Sequence, residues 1–232
     1  MIDTALILAG GVGSRLGELT SKTPKPLLKV GGKPFIFHLI DDLVAQNVKN
    51  IYISTGYLSE MFDAILPEGN WHQCNVTTIR EQERLGTGGA VSYFLKHKVP
   101  QEGLLVLNGD TFIFNRDFDF SKHKNKENWV LTTKVDDASE SGFIEVDTAY
   151  NVVEFREKTR SGSGLINAGT YFFSDAVSLQ IDMKKFGDHF SLEDFLSSYV
   201  KEVTFKAMCT YGKMIDMGKP NTLTLMREEF EK

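Results

Sequence analysis

The sequence predicts a single α/β domain whose sheet is mixed but mostly parallel, with helices on both faces. Three observations lead there. Short apolar runs alternate with amphipathic stretches through about the first half of the chain, Gly10, Gly11 and Gly13 cluster directly after the first run, and beyond Trp129 the pattern turns strand-rich. Parallel neighbours need a crossover between them, usually helical, so the early alternation reads as a Rossmann-like sheet. The 232 residues, 41% of them hydrophobic, suffice for one substantial core.

Each element has its own signal. Ala5 to Leu8 is apolar throughout, as suits a central strand covered on both faces. Phe35 to Gln46 carries Phe35, Ile36, Leu39, Ile40, Leu43 and Val44 on a helical stripe, and Asn50 to Thr55 follows as a strand. A helix is expected over Tyr57 to Leu66, a strand over Val76 to Arg80 and a helix over Gly88 to Lys98. Leu104 to Leu107 is a buried strand that ends at Asn108-Gly109-Asp110. Strands are then expected at Trp129 to Val135, Gly142 to Asp147, Val152 to Arg156 and Ala168 to Phe173. Phe190 to Tyr199 reads as a helix with Ser191 as N-cap and Asp194 three positions on. Thr204 to Thr210 closes the series as a strand leading into Lys213 to Gly218.

Composition excludes several function classes. A net charge of −5 leaves no extended basic surface for a nucleic acid. Cys74 and Cys209 are too few and too isolated for a disulfide framework or a zinc site, and the five histidines show no metal or triad spacing. No apolar run is long enough to span a membrane and no cleavable signal is evident, so a cytoplasmic location without membrane partners is expected. The lysine-rich Ser121 to Asn128 reads as a solvated loop, and the Phe-rich Phe112 to Phe120 as core packing.

The chemistry concentrates in LILAGGVGSRLGELTSKTPKPL, residues 6 to 27. Glycines after a buried strand let backbone N–H groups approach phosphate oxygens. Arg15 adds a planar fork of donors, and Lys25, between Pro24 and Pro26, adds a point charge on a restricted loop. Different cations on one short segment suggest two phosphate groups, one on a nucleoside triphosphate and one on a second substrate. The third glycine is out of register for a dinucleotide fingerprint, and no Gly-Lys-Ser/Thr follows to make a Walker loop. Asp110, at the end of an apolar strand, and Asp216, before Met217-Gly218, are candidates to share a Mg2+ ion against triphosphate oxygens.

With PKPL following the glycine-arginine segment, the chain resembles the sugar-1-phosphate nucleotidyltransferases, the nucleotide-sugar pyrophosphorylases. LGTGGAV at 85 to 91, LNGD at 107 to 110, SGFIEVD at 141 to 147, EFREKT at 154 to 159, INAGTYFF at 166 to 173 and IDMGKP at 215 to 220 fall in the family's order. The resemblance covers nearly the whole chain and is nearest to the short bacterial heptose-1-phosphate guanylyltransferases. It implies the nucleotide-diphospho-sugar transferase fold, with residues 1 to about 128 binding nucleotide and about 129 to 232 binding sugar phosphate.

Carried over by motif, Leu8, Ala9, Gly10, Gly11, Gly13, Ser14 and Arg15 would wrap the nucleotide and its phosphates. Lys25 would meet the triphosphate and the sugar phosphate. Glu81, Gln82, Gly86 and Thr87 would serve base and ribose, while Asp110 and Asp216 would hold Mg2+. Lys158 would grip the sugar phosphate, with Gly142, Glu157 and Asn167 at the sugar hydroxyls. Arg15, Lys25, Asp110 and Lys158 make up the implied catalytic set. The resemblance departs at Arg84, where relatives often have proline, and at Ser141, where they often have an aromatic residue.

The implied reaction joins a sugar 1-phosphate to an NTP, with GTP and heptose 1-phosphate favoured, giving an NDP-sugar for glycan biosynthesis and pyrophosphate. The phosphate oxygen is largely ionised at neutral pH, so no general base is required. Uracil, cytosine or thymine nucleotides, another sugar or a non-sugar phosphate, and a non-catalytic regulatory subunit are the alternatives. The residues do not specify a monomer or a homo-oligomer.

Overall fold

The computed structural model describes residues 2–66, 69–120, 127–138, 142–156 and 162–232. Its elements run β1 (Thr4–Leu8), α1 (Glu18–Ser21), β2 (Lys29–Val30), β3 (Lys33–Pro34), α2 (Phe35–Ala45), β4 (Asn50–Thr55), α3 (Glu60–Ile65), β5 (Gly69–Trp71), β6 (Cys74–Arg80), α4 (Gly86–His97), β7 (Leu104–Asn108) and β8 (Thr111–Phe114). They continue as β9 (Asn128–Val135), β10 (Phe143–Val146), β11 (Val152–Arg156), β12 (Gly164–Phe173), α5 (Ala176–Met183), α6 (Leu192–Tyr199), β13 (Phe205–Thr210), β14 (Lys213–Asp216) and α7 (Pro220–Phe230).

One ten-stranded sheet passes through both halves of the chain in the order β11-β10-β12-β7-β1-β4-β6-β5, with β9 against β12 and β13 against β9. Its middle, β7-β1-β4-β6, is parallel, as is the β9–β13 pair, whereas β12 runs antiparallel to β7 and β9. The apolar runs follow from this placement. In β1, Ala5 and Ile7 enter one core and Leu6 the other, and β7 splits Leu105 and Leu107 from Leu104 and Val106 in the same way. The first core lies under α2, α3 and α7, the second under α4, α5 and α6, so helices cover both faces.

The Phe-rich stretch is core: Phe112 and Phe114 pack on Phe230 of α7, and Phe118 and Phe120 pack on Trp129. Ser191 caps α6 by accepting from the Asp194 N–H, as its position predicts. The expected helix over Tyr57 to Leu66 is shorter, because Leu58 adopts φ 51° and interrupts it before Glu60. Two short antiparallel pairs stand off the main sheet, β2 with β3 and β8 with β14. Among the described residues, no helix is long and apolar enough to cross a membrane.

Candidate active site

Strand order reverses direction at β1, whose neighbours are β4 on one side and β7 on the other. In an open α/β sheet the crevice beyond the strand ends at such a point receives ligands. Here those ends are Leu8 and Asn108. The Gly109 N–H donates to Leu8 O at 2.9 Å, and a Cβ on Gly109 would lie 2.5 Å from that oxygen, so glycine permits the two strand ends to close together.

Two cavities open at this crevice. The first, about 330 Å³, lies over the glycine loop from Gly10 to Gly13 and extends to Lys25, Glu81 and the Arg84 to Thr87 loop. The second, about 600 Å³, is lined from Arg15, Thr111, Asn167 and Asp216 to Glu193 on α6. Asn108 and Asp110 line both.

Each glycine of the loop answers a different constraint. A Cβ on Gly10 would sit 2.6 Å from Glu81 Oε1, and Gly13 takes φ 67° with Lys25 Cβ 3.2 Å from where its own Cβ would be. Nothing lies within 4 Å of a Cβ on Gly11, which leaves its backbone open to the cavity. Lys25 follows Pro24 into a tight turn, Lys25–Leu27, and its ammonium pairs with Asp110.

Asp216 reaches the site through the β8–β14 ladder, where it stands opposite Thr111 while the Met217 N–H donates to Asp110 O at 2.9 Å. The pairing thus brings together two aspartates more than one hundred residues apart, and both line the second cavity. The Gly218 N–H donates to Asp216 Oδ1, and Arg15 Nη2 lies 3.2 Å from the place of a Cβ on Gly218. Arg15 therefore belongs to the second cavity, beside Asp216, rather than to the first.

Glu81 lines the first cavity. Ser54 Oγ donates to its Oε1 at 2.8 Å, yet burial raises its pKa against the opposing hydrogen bonds from Ser54 and the Leu85 backbone. Gln82 is exposed on the bend beyond the strand and lines neither cavity. Ser14 is likewise exposed on the turn Ser14–Leu16 and lines neither. Thr87 lines the first cavity, but its hydroxyl accepts from the Leu192 N–H at 2.8 Å.

Gly142 and Asn167 line the second cavity. Asn167 sits where the β12–β9 register shifts; its Nδ2 donates to Tyr171 Oη at 2.6 Å and its Oδ1 accepts from the Gly169 N–H at 2.9 Å. Glu157 and Lys158 lie outside the described residues, as do Ser141 and residues 121–126 of the lysine-rich loop. Arg156, Glu193, Asp194 and Ser197 also line this cavity, and sequence reasoning missed them. For Arg156 the strand pattern next to Glu157 was the available signal. For the α6 residues it was the Ser191 cap, which marks a helix start but not what that start faces.

The arrangement joins an open backbone loop to two carboxylates, a lysine and an arginine where the cavities meet, which is a set of groups for phosphate chemistry. The family model described as Nucleotidyl transferase matches residues 4–232. The chain is 30% identical over 231 residues to the D-glycero-alpha-D-manno-heptose 1-phosphate guanylyltransferase of Aneurinibacillus thermoaerophilus, covering 98% of each. It is 32% identical to the Campylobacter jejuni protein of the same name, over 93% of this chain and 95% of that one. The solved structure of HddC from Yersinia pseudotuberculosis superposes with a TM-score of 0.83 at 32% identity, over 98% of this chain and 99% of that one. HddC complexed with GMP-PN superposes at 0.81. With matching sequence and fold, the chain belongs to the nucleotidyl transferase family.

Proposed function

We propose that this enzyme transfers a guanylyl group from GTP to a sugar 1-phosphate, heptose 1-phosphate being the favoured acceptor, with release of pyrophosphate. The observation that carries the reading is the position of Asp110, common to a nucleotide-sized cavity and a second cavity large enough for a phosphorylated sugar. The relatives' names supply guanine and heptose, and Glu81 supports guanine independently. A carboxylate only accepts hydrogen bonds, and the guanine edge offers neighbouring N–H donors that uracil and cytosine do not offer together.

In the reaction, an ionised oxygen of the sugar phosphate attacks the α-phosphorus of GTP. A new P–O bond forms, the bond to the β-phosphate oxygen breaks, and pyrophosphate departs with that electron pair. The difficulty is repulsion, about 4 kcal/mol for each pair of unit charges 4 Å apart at an effective dielectric near 20. The Gly11 backbone and Lys25 would receive the triphosphate, while Arg15 would receive the acceptor phosphate from the other cavity. By sequence resemblance, Lys158 would join Arg15, with Glu157, Gly142 and Asn167 at the sugar. Holding both anions in line is the catalytic task, so the residues act by position and charge.

Asp110 and Asp216 offer hard oxygen donors in the lining of one cavity, a set that fits Mg2+ completed by phosphate and water oxygens. When bound, that ion would supply neutralising charge to the phosphates. Release of pyrophosphate measured across four NTPs and a panel of sugar 1-phosphates tests the proposal. The expected result is turnover with GTP and heptose 1-phosphate above all other pairs; no activated sugar from any pair would sink it.

A further inference from the structure

The two cavities are stitched together at the far side from Asp110. The Gly88 and Gly89 N–H groups donate to Phe190 O at 3.1 and 3.2 Å, and the Phe190 N–H donates to Leu85 O at 3.0 Å. Cβ atoms on Gly86 and Gly88 would lie 2.5 and 2.4 Å from Phe190, and one on Gly89 would lie 2.3 Å from Asp188 O. These three glycines therefore bring segment 188–191 against the loop that lines the nucleotide cavity. From Ser191 the chain enters α6, which delivers Glu193, Asp194 and Ser197 to the acceptor cavity.

Thr87 spans the join. Its Oγ1 accepts from the Leu192 N–H at 2.8 Å and donates to Glu193 Oε2 at 3.4 Å. Glu193 lines the same cavity as Asp110, and after burial itself the field of Glu193, and then that of Asp110, raises the pKa of the enclosed Tyr171 hydroxyl. Arg156 lines the same cavity, but its guanidinium is taken by Glu145 at 2.6 Å and Glu154 at 2.7 Å. Among the described residues, no lysine or arginine pairs with Glu193. Among the described residues, the cavity thus sets Arg15 beside Asp216 at one end and a carboxylate with no basic partner at the α6 end, with Phe143 and Phe155 also in its lining.

We infer that Glu193 accepts hydrogen bonds from hydroxyls of the acceptor sugar, and that Thr87 is a positioning residue holding it from the nucleotide loop. The inference rests on the sugar-phosphate reading above. A phosphate at Arg15 directs the remainder of the acceptor toward α6. A carboxylate there suits a polyol and disfavours a second anion or an apolar tail.

The test is steady-state kinetics and calorimetric binding with GTP, heptose 1-phosphate and sugar 1-phosphates lacking one hydroxyl at a time. Glu193→Ala should raise the acceptor KM and Kd about tenfold or more, the usual worth of a hydrogen bond to a charged group, and leave the KM for GTP near wild type. One deoxy acceptor should lose nothing further in Glu193→Ala, because its contact is already absent. Thr87→Val should raise the acceptor KM in the same direction, and Thr87→Ser should restore it. An acceptor KM unchanged in Glu193→Ala, or equal losses for every deoxy analogue, overturns this inference while leaving the proposed function standing. A wild-type chain that turns over no sugar 1-phosphate overturns both.

Discussion

Lys25, in the lining of the first cavity, and Asp110, in the lining of both, are 85 residues apart in the chain and form an ion pair, with side chains 12% and 26% exposed. On the proposed function, a cation that receives the triphosphate must be held without being consumed by its partner, and a part-exposed carboxylate permits that. Lys25→Met should lower kcat/KM by about a hundredfold to a thousandfold, the scale of losing one preorganised charge at a transition state. Combined with Asp110→Asn, the loss should fall short of additivity, because each variant disrupts the same pair. A double-mutant cycle in kcat/KM checks this; strict additivity would contradict a shared role.

Asp110→Asn and Asp216→Asn each remove a charge while nearly preserving volume. Each should cut turnover about a hundredfold or more and shift the Mg2+ dependence to higher concentration. Thermal unfolding should change little by comparison, since both carboxylates sit at a cavity rather than in a core. Unaltered Mg2+-dependent turnover in both variants would reject them as the ion's ligands.

Glu81, which would read the base on the proposed function, also carries a pH effect. Burial raises its folded pKa above the unfolded value near 4.5, so the folded chain binds the proton more tightly. Stability from this group is therefore full below the unfolded pKa and falls as pH rises through the folded one. Glu81→Gln, which keeps an acceptor for Ser54 Oγ, should be more stable than wild type at neutral pH, and the difference should vanish below about pH 4. The same variant should lose GTP affinity by about tenfold or more relative to UTP, since an amide cannot present two acceptors. Denaturant unfolding across pH and competition between the two nucleotides measure the two effects separately.

The glycines separate fold from ligand. Gly88→Ala would drive a methyl group to 2.4 Å from the Phe190 ring and should destabilise the chain by about 1–3 kcal/mol. Gly11→Ala meets no atom within 4 Å and should leave stability within about 0.5 kcal/mol. It should nonetheless weaken nucleotide binding, because the methyl group would occupy the side open to phosphate. Chemical denaturation and nucleotide titration of both variants should give opposite rankings.

Much of the fold was legible because burial on both faces leaves a local mark. Ala5 to Leu8 and Leu104 to Leu107 are apolar runs whose neighbours in sequence carry turn residues, and Ser191 announces α6 with a cap that its own hydroxyl makes. Other elements left weaker marks. In α5 the buried Ala176, Leu179 and Met183 are interleaved with the half-exposed Val177 and Ile181, so no clean stripe shows, and α7 buries only Leu223 and Met226 fully. Both helices went unread for that reason.

At the site, composition and local spacing determined the glycine loop, the lysine between prolines and the aspartate at a strand end, since each depends on a few neighbouring residues. Only the tertiary structure decided that Asp216 lines a cavity with Asp110, that Arg15 lines that same cavity, and that Thr87 reaches Glu193. These are distances between segments up to two hundred residues apart, set by strand pairing and helix packing, and chain-local preferences carry no information about them.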